Sequence, residues 1–132
     1  MMFHFDTVSV SINAAPQKVW EFVADINNWP KFSDFARDIE HVADGKWVFH
    51  TSQGDVQVIE KFDRERMLLD TICIVPSGDE QFIPYRVVPN GNGSELIMTN
   101  QQTAGVSDEE YAEQLTWMRE ELENVKKILE RK

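Results

Sequence analysis

Apolar and polar positions alternate near the start of the chain, where Val8, Val10 and Ile12 are separated by Ser9 and Ser11, behind Phe3 and Phe5. A period of two predicts a half-buried strand. The period then lengthens. Val19, Trp20, Phe22, Val23 and Ile26 recur at helical spacing after Pro16, whose fixed φ and missing N–H suit a first helical turn. Asn27-Asn28 predicts a break, and Trp29-Pro30 opens a second short helix carrying Phe32, Phe35 and Ala36. Segments this short are not stable alone in water, so both must dock on something larger.

From about residue 37 to 102 the pattern is all strand. Runs at Ile39–Val42, Trp47–Thr51, Val56–Phe62, Met67–Val75, Phe82–Val88 and Leu96–Gln102 are punctuated by turns. The turn signals are Asp44-Gly45, Gln53-Gly54-Asp55, Asp63–Arg66, Pro76–Asp79 and Asn90-Gly91-Asn92-Gly93. Connections this short predict an antiparallel meander, because parallel neighbours need long crossovers.

The last segment opens with Ser107-Asp-Glu-Glu110, which fits a reciprocal capping box. Tyr111, Leu115, Met118, Leu122, Val125 and Ile128 or Leu129 then mark a single apolar stripe. The stripe predicts a helix of about 23 residues, roughly 35 Å long. Acidic residues crowd its start and Lys126, Lys127, Arg131 and Lys132 its end, as the helix dipole favours. Together the elements predict an α+β domain spanning 1–132, with seven antiparallel strands wrapped around the C-terminal helix and two short helices after the first strand.

Composition narrows the function. At 132 residues the chain can bury a core without disulfides or metal. Thirteen basic against twenty-three acidic residues give a net charge of −10, which opposes binding to nucleic acid or an anionic membrane. No apolar run reaches the roughly 18 residues that span a bilayer. The lone Cys73 and the lack of a basic, apolar leader predict a cytoplasmic protein in a reducing compartment.

The stretch from Val10 through Ala15-Pro16, Val19-Trp20, Phe22-Val23 and Asp25 to Asn28-Trp29-Pro30-Lys-Phe32 resembles the opening of the START/birch-pollen-allergen superfamily. Its strand, Ala-Pro, Val-Trp and Trp-Pro pattern resembles that of the bacterial polyketide cyclase/dehydrase and lipid transport members. The later strands, the Asn-Gly turn and the closing helix extend the resemblance over nearly the whole chain. It implies a helix-grip fold with a cavity between sheet and helix for an apolar small molecule such as a lipid, sterol, quinone or polyketide. The shared residues serve packing and turns, so they carry fold more than chemistry.

Alternation assigns the faces. Trp47, Phe49 and Thr51 should point inward, as should Val56, Val58, Glu60 and Phe62, then Met67, Leu69, Thr71 and Cys73, and finally Leu96, Met98, Asn100 and Gln102. Over Phe82–Val88 the pattern leaves Tyr85 or Arg86 as the inward residue. The expected ligand lining is Phe32, Phe35, Trp47, Phe49, Val58, Glu60, Leu69, Thr71, Tyr85, Met98, Asn100, Leu115 and Met118. A few polar groups among many apolar ones is the composition of a small-molecule pocket. An inward Glu60 has either a raised pKa or a partner such as Arg86; it is a candidate general base, a ligand anchor, half of a structural pair, or turned to solvent by a bulge.

Other motifs point away from chemistry. His4, His41 and His50 sit on separate segments without zinc-ligand spacing, so no metal and no cofactor is expected. Cys73 lies among Thr, Ile and Val and reads as core rather than nucleophile. Trp20 and Trp29 read as helix-to-sheet packing. Trp117 falls beside the helix stripe, at the cavity mouth, a partner contact or the sheet edge. No nucleophile elbow or phosphate loop occurs.

Three functions fit: a carrier or sensor of an apolar ligand; a cyclase, dehydratase or isomerase using Glu60 as acid–base; and a protein-interaction module without ligand. A general acid–base reaction needs tuned, positioned groups, which only Glu60 with Tyr85 or Arg86 offers. Neither stable membrane insertion nor nucleic-acid binding is expected, and the oligomeric state is left open.

Overall fold

A computed structural model describes residues 2–131. Its seven strands are β1 (Phe5–Ile12), β2 (Ile39–Ala43), β3 (Lys46–Thr51), β4 (Gly54–Asp63), β5 (Leu68–Ile74), β6 (Glu80–Asn90) and β7 (Gly93–Gln101). They form one antiparallel sheet in the order β1-β7-β6-β5-β4-β3-β2, a meander in which β1 pairs with the last strand. The helices are α1 (Pro16–Ala24) and α2 (Asp108–Leu129).

Alternation along the strands aims one face at the helices, as the sequence predicts. Val8, Val10 and Ile12 are buried on β1, Val56 and Val58 on β4, Leu69, Thr71 and Cys73 on β5, and Leu96, Met98 and Asn100 on β7. On β6 the inward residue is Tyr85, 5% exposed, while Arg86 faces solvent. Arg86 is therefore not the partner of Glu60.

Helix α2 lies on the concave face along β1 and is held at both ends. At its start Ser107 and Glu110 form the expected capping box, and the Tyr111 hydroxyl donates to the Asn100 carbonyl at 3.2 Å. At its end Lys126 donates to the Ser11 carbonyl at 2.7 Å, and the Asn13 N–H donates to the Glu130 carboxylate at 2.7 Å. Between them Met118, Leu122 and Val125 are buried.

The predicted turns hold with adjusted limits. Gly45, at φ +69, closes the β2–β3 hairpin, and any Cβ there would lie 2.8 Å from the Glu60 carbonyl oxygen. The β3–β4 turn is Ser52-Gln53 rather than Gln53–Asp55, because the Thr51 hydroxyl ties the two ends by donating to the Gly54 carbonyl at 2.6 Å.

Two expectations need correction. Helix α1 ends at Ala24 instead of continuing to Ile26, because Asp25 is extended and its carboxylate accepts from the Asn27 N–H at 3.0 Å. Asn27-Asn28 is thus part of a 3₁₀ turn over Ile26–Lys31, and the predicted second helix becomes this turn plus another over Asp34–Ala36. Met67 is not an inward strand residue either: it sits in the β4–β5 turn at φ 54, half-buried. Among the described residues no helix is long and apolar enough to cross a membrane.

Candidate functional site

The segment between α1 and β2 carries the aromatic residues that cover the concave face. The Trp29 indole donates to the Val23 carbonyl at 2.8 Å, which turns its ring inward against Phe49 at 5.8 Å and Tyr85 at 5.7 Å between centroids. Phe35 closes on Phe49 at 5.7 Å from the outer side. Asn124 on α2 donates to the Phe32 carbonyl at 3.2 Å, so this segment is tied to the long helix.

Where segment, helix and sheet fail to meet fully, a cleft of about 770 Å³ opens. Residues 30–35 and Arg37 form one wall, His50 to Gln53 of the β3–β4 hairpin another, and Trp117, Glu120, Glu121 and Asn124 of α2 the third. Trp117 is 55% exposed and stands on this rim, one of the three positions its place beside the stripe allowed.

Glu121 is the unusual member of the wall. It occupies a helical position whose spacing from Gln114, Met118, Val125 and Ile128 places it on the inward side of α2. The Ser33 hydroxyl, on a residue 4% exposed, donates to it at 3.0 Å. Burial pushes its carboxyl up to about 7, only partly offset by the Ser33 bond, with Asp34 and Glu120 adding to the rise. Behind it, burial and the Glu121 charge raise both the Tyr85 hydroxyl and the Cys73 thiol, the latter to about 12. Both are neutral at physiological pH, which fits Cys73 as core and not as nucleophile.

The structure divides the expected lining. Phe32 and Phe35 face the cleft. Phe49, Val58, Leu69, Thr71, Tyr85, Met98, Asn100 and Met118 are at most 5% exposed, in the contiguous packing beneath it, while Trp47 and Leu115 are half-buried at its margin. Asn100 is fully engaged: it accepts from Gln81 at 2.7 Å and donates to Gln114 at 3.2 Å, so its amide fastens α2 to the sheet.

Glu60 does face inward, toward the α1 end of the concavity. Burial raises its carboxyl to about 7, with the Asp25 charge contributing, and its Oε2 is buried without a hydrogen-bond partner among the described residues. Among the described residues, the structural-pair reading of Glu60 therefore has no cation to complete it. Ser33, Glu121 and the hairpin tip were absent from the expected lining. Glu121 was legible as a charge on the inward side of the stripe; Ser33 had no signal.

The chain matches a family model described as polyketide cyclase / dehydrase and lipid transport over residues 4–130. No curated protein sequence matches it. Solved structures do. The protein XoxI from Bacillus cereus superposes with a TM-score of 0.79 at 12% identity, covering 95% of this chain and 94% of its own. A START superfamily protein from Mycobacterium smegmatis gives 0.74 at 15%, covering 96% and 99%. Ara h 8.0201 gives 0.74 at 14%, covering 96% and 97%. At these identities the likeness concerns the fold, and it bears out the helix-grip expectation.

Proposed function

Since the chain belongs to the polyketide cyclase / dehydrase and lipid transport family, we propose that it binds an apolar small molecule, as carrier or sensor, in the cleft against α2. One observation carries the reading: a concavity of ligand size in which Phe32, Phe35 and Trp117 stand among polar residues, with the shielded carboxyl of Glu121 in its wall. Aromatic surface supplies the free energy of binding and the polar groups the orientation, the usual division in ligand pockets. The cleft is of ligand size, and the dense packing of Phe49, Val58 and Leu69 favours a ligand seated at this opening over one sealed within the core.

Native mass spectrometry after incubation with a lipid-and-metabolite extract, compared with the denatured mass, tests it. A reproducible added mass is expected. Absence of any adduct from both polar and apolar extracts counts against a ligand and favours a protein partner.

A second reading, an acid–base enzyme, draws on Glu60, an inward carboxyl raised to about 7 whose buried Oε2 has no hydrogen-bond partner among the described residues. Once the ligand is in hand, Glu60→Gln separates the two. A carrier that seats its ligand in this cleft, whose lining does not include Glu60, keeps its affinity, whereas an acid–base enzyme loses turnover by orders of magnitude.

A further inference from the structure

The charged groups around the cleft are mostly engaged with one another. Arg37 donates to Asp34 at 2.9 Å, and His50 sits between Asp55 at 2.8 Å and Glu40 at 3.4 Å. Lys31, at the exposed lip, donates to the Asn28 amide oxygen at 2.9 Å. Glu121 differs. Among the described residues its hydrogen-bond partner is the neutral Ser33 hydroxyl, and no cation lies within salt-bridge distance. The charges closest in effect are Asp34 and Glu120, both acidic, and the groups behind it, Tyr85 and Cys73, are uncharged.

Once Glu121 is ionised, above about pH 7, an anionic head brought to this wall meets like charge in a poorly hydrated place, where Coulomb repulsion is strong. A donor head meets an acceptor, because Ser33 donates to one carboxyl oxygen, Oε1, and a carboxylate has capacity for several donors. We infer that the cleft selects apolar molecules whose polar end is a hydrogen-bond donor, an amine or a hydroxyl, over molecules ending in a carboxylate, with Glu121 as the selecting residue. This rests on the small-molecule reading above and adds the chemistry of the ligand's polar end.

The experiment is calorimetric titration of the full chain at about pH 8.5, where Glu121 is ionised, with decylamine, decanol and decanoate, each below its micellar or solubility limit. The expected result is that the amine and the alcohol bind at least about tenfold more tightly than the carboxylate, and that in Glu121→Gln the gap to the carboxylate shrinks to within about threefold. Gln keeps the shape and the oxygen that Ser33 reaches, so the variant should fold. Equal binding of all three probes, or a preference for decanoate, overturns the selectivity and leaves the small-molecule reading standing. A preference for the amine that persists unchanged in Glu121→Gln reflects attraction to the −10 surface and overturns the role of Glu121. Failure of all three to bind takes down the small-molecule reading, and this inference with it.

Discussion

Glu60 and Thr71 stand directly opposite each other on β4 and β5, and each presents a buried polar atom with no hydrogen-bond partner among the described residues. Directly opposed side chains share a face of the sheet, so both unsatisfied atoms point into the same concavity. Leaving a buried hydroxyl unpaired costs about 1–3 kcal/mol. Thr71→Val keeps the shape and the strand preference while removing that group. It is expected to raise stability by about 1 kcal/mol, read as a higher urea midpoint at unchanged m-value. A loss of stability would show that the hydroxyl is satisfied in solution.

Phe49 and Phe35 touch, yet they carry different loads. Phe49 is 0% exposed and Phe35 46%. Phe49→Ala is expected to cost about 3–5 kcal/mol, the range for a fully packed aromatic. Phe35→Ala, at the cleft wall, is expected to cost far less stability while weakening ligand capture. Denaturant unfolding of both variants, with the native-mass experiment repeated on the second, checks the pair; similar losses from both would mean that Phe49 lines an open cavity.

The carboxyl of Glu121 sits at about 7 in the folded chain against an ordinary 4.5. Between those values the folded state holds the proton more tightly than the unfolded one. The contribution is therefore fully favourable below about 4.5 and lost as pH climbs to about 7. Glu121→Gln removes this dependence. Relative to the parent, the variant should gain stability with rising pH, by up to about 3 kcal/mol at the alkaline end. Urea midpoints of both proteins at about pH 5 and about pH 8 decide it; a constant difference between them would place the Glu121 carboxyl in solvent.

Gly93 has no room for a side chain. A Cβ there would lie 2.5 Å from the Ile12 carbonyl oxygen, whereas one at Gly105 would meet only the Asp79 carboxylate at 3.8 Å. Gly93→Ala is expected to force β1 away from β7 and destabilise by about 1–3 kcal/mol, as overpacking does. Gly105→Ala should be close to neutral. Thermal unfolding of the two variants side by side provides the comparison.

The strands, their faces and the long helix were readable because alternation and the 111–129 stripe are local patterns that burial reinforces. Asp25 shows where such reading stops. Its carboxylate caps the following turn and cuts the first helix short, an interaction that periodicity does not register. The Tyr85-or-Arg86 ambiguity was of another kind: the β6 pattern is mixed on both faces, and pairing with Leu69 and Met98 settles it. The candidate site was less legible than the fold. Its α2 wall lies far along the chain from the other two, and Ser33 approaches Glu121, 88 positions on, only after the segment following α1 has wrapped onto α2.

The amide cluster of Gln81, Asn100 and Gln114 has a bearing on the cleft, although it lies toward the other end of α2. An apolar stripe alone lets a cylinder roll, since one greasy ridge resembles the next. Asn100 donates to Gln114 at 3.2 Å and Gln81 lies 3.4 Å from the same oxygen, which pins the azimuth of the helix at that point. Glu121 follows seven positions later, about two full turns on, and so shares that azimuth. The sheet thereby aims a carboxyl whose hydrogen-bond partner, Ser33, lies outside it, much as a key seated in one slot fixes the direction of a tooth farther along the shaft.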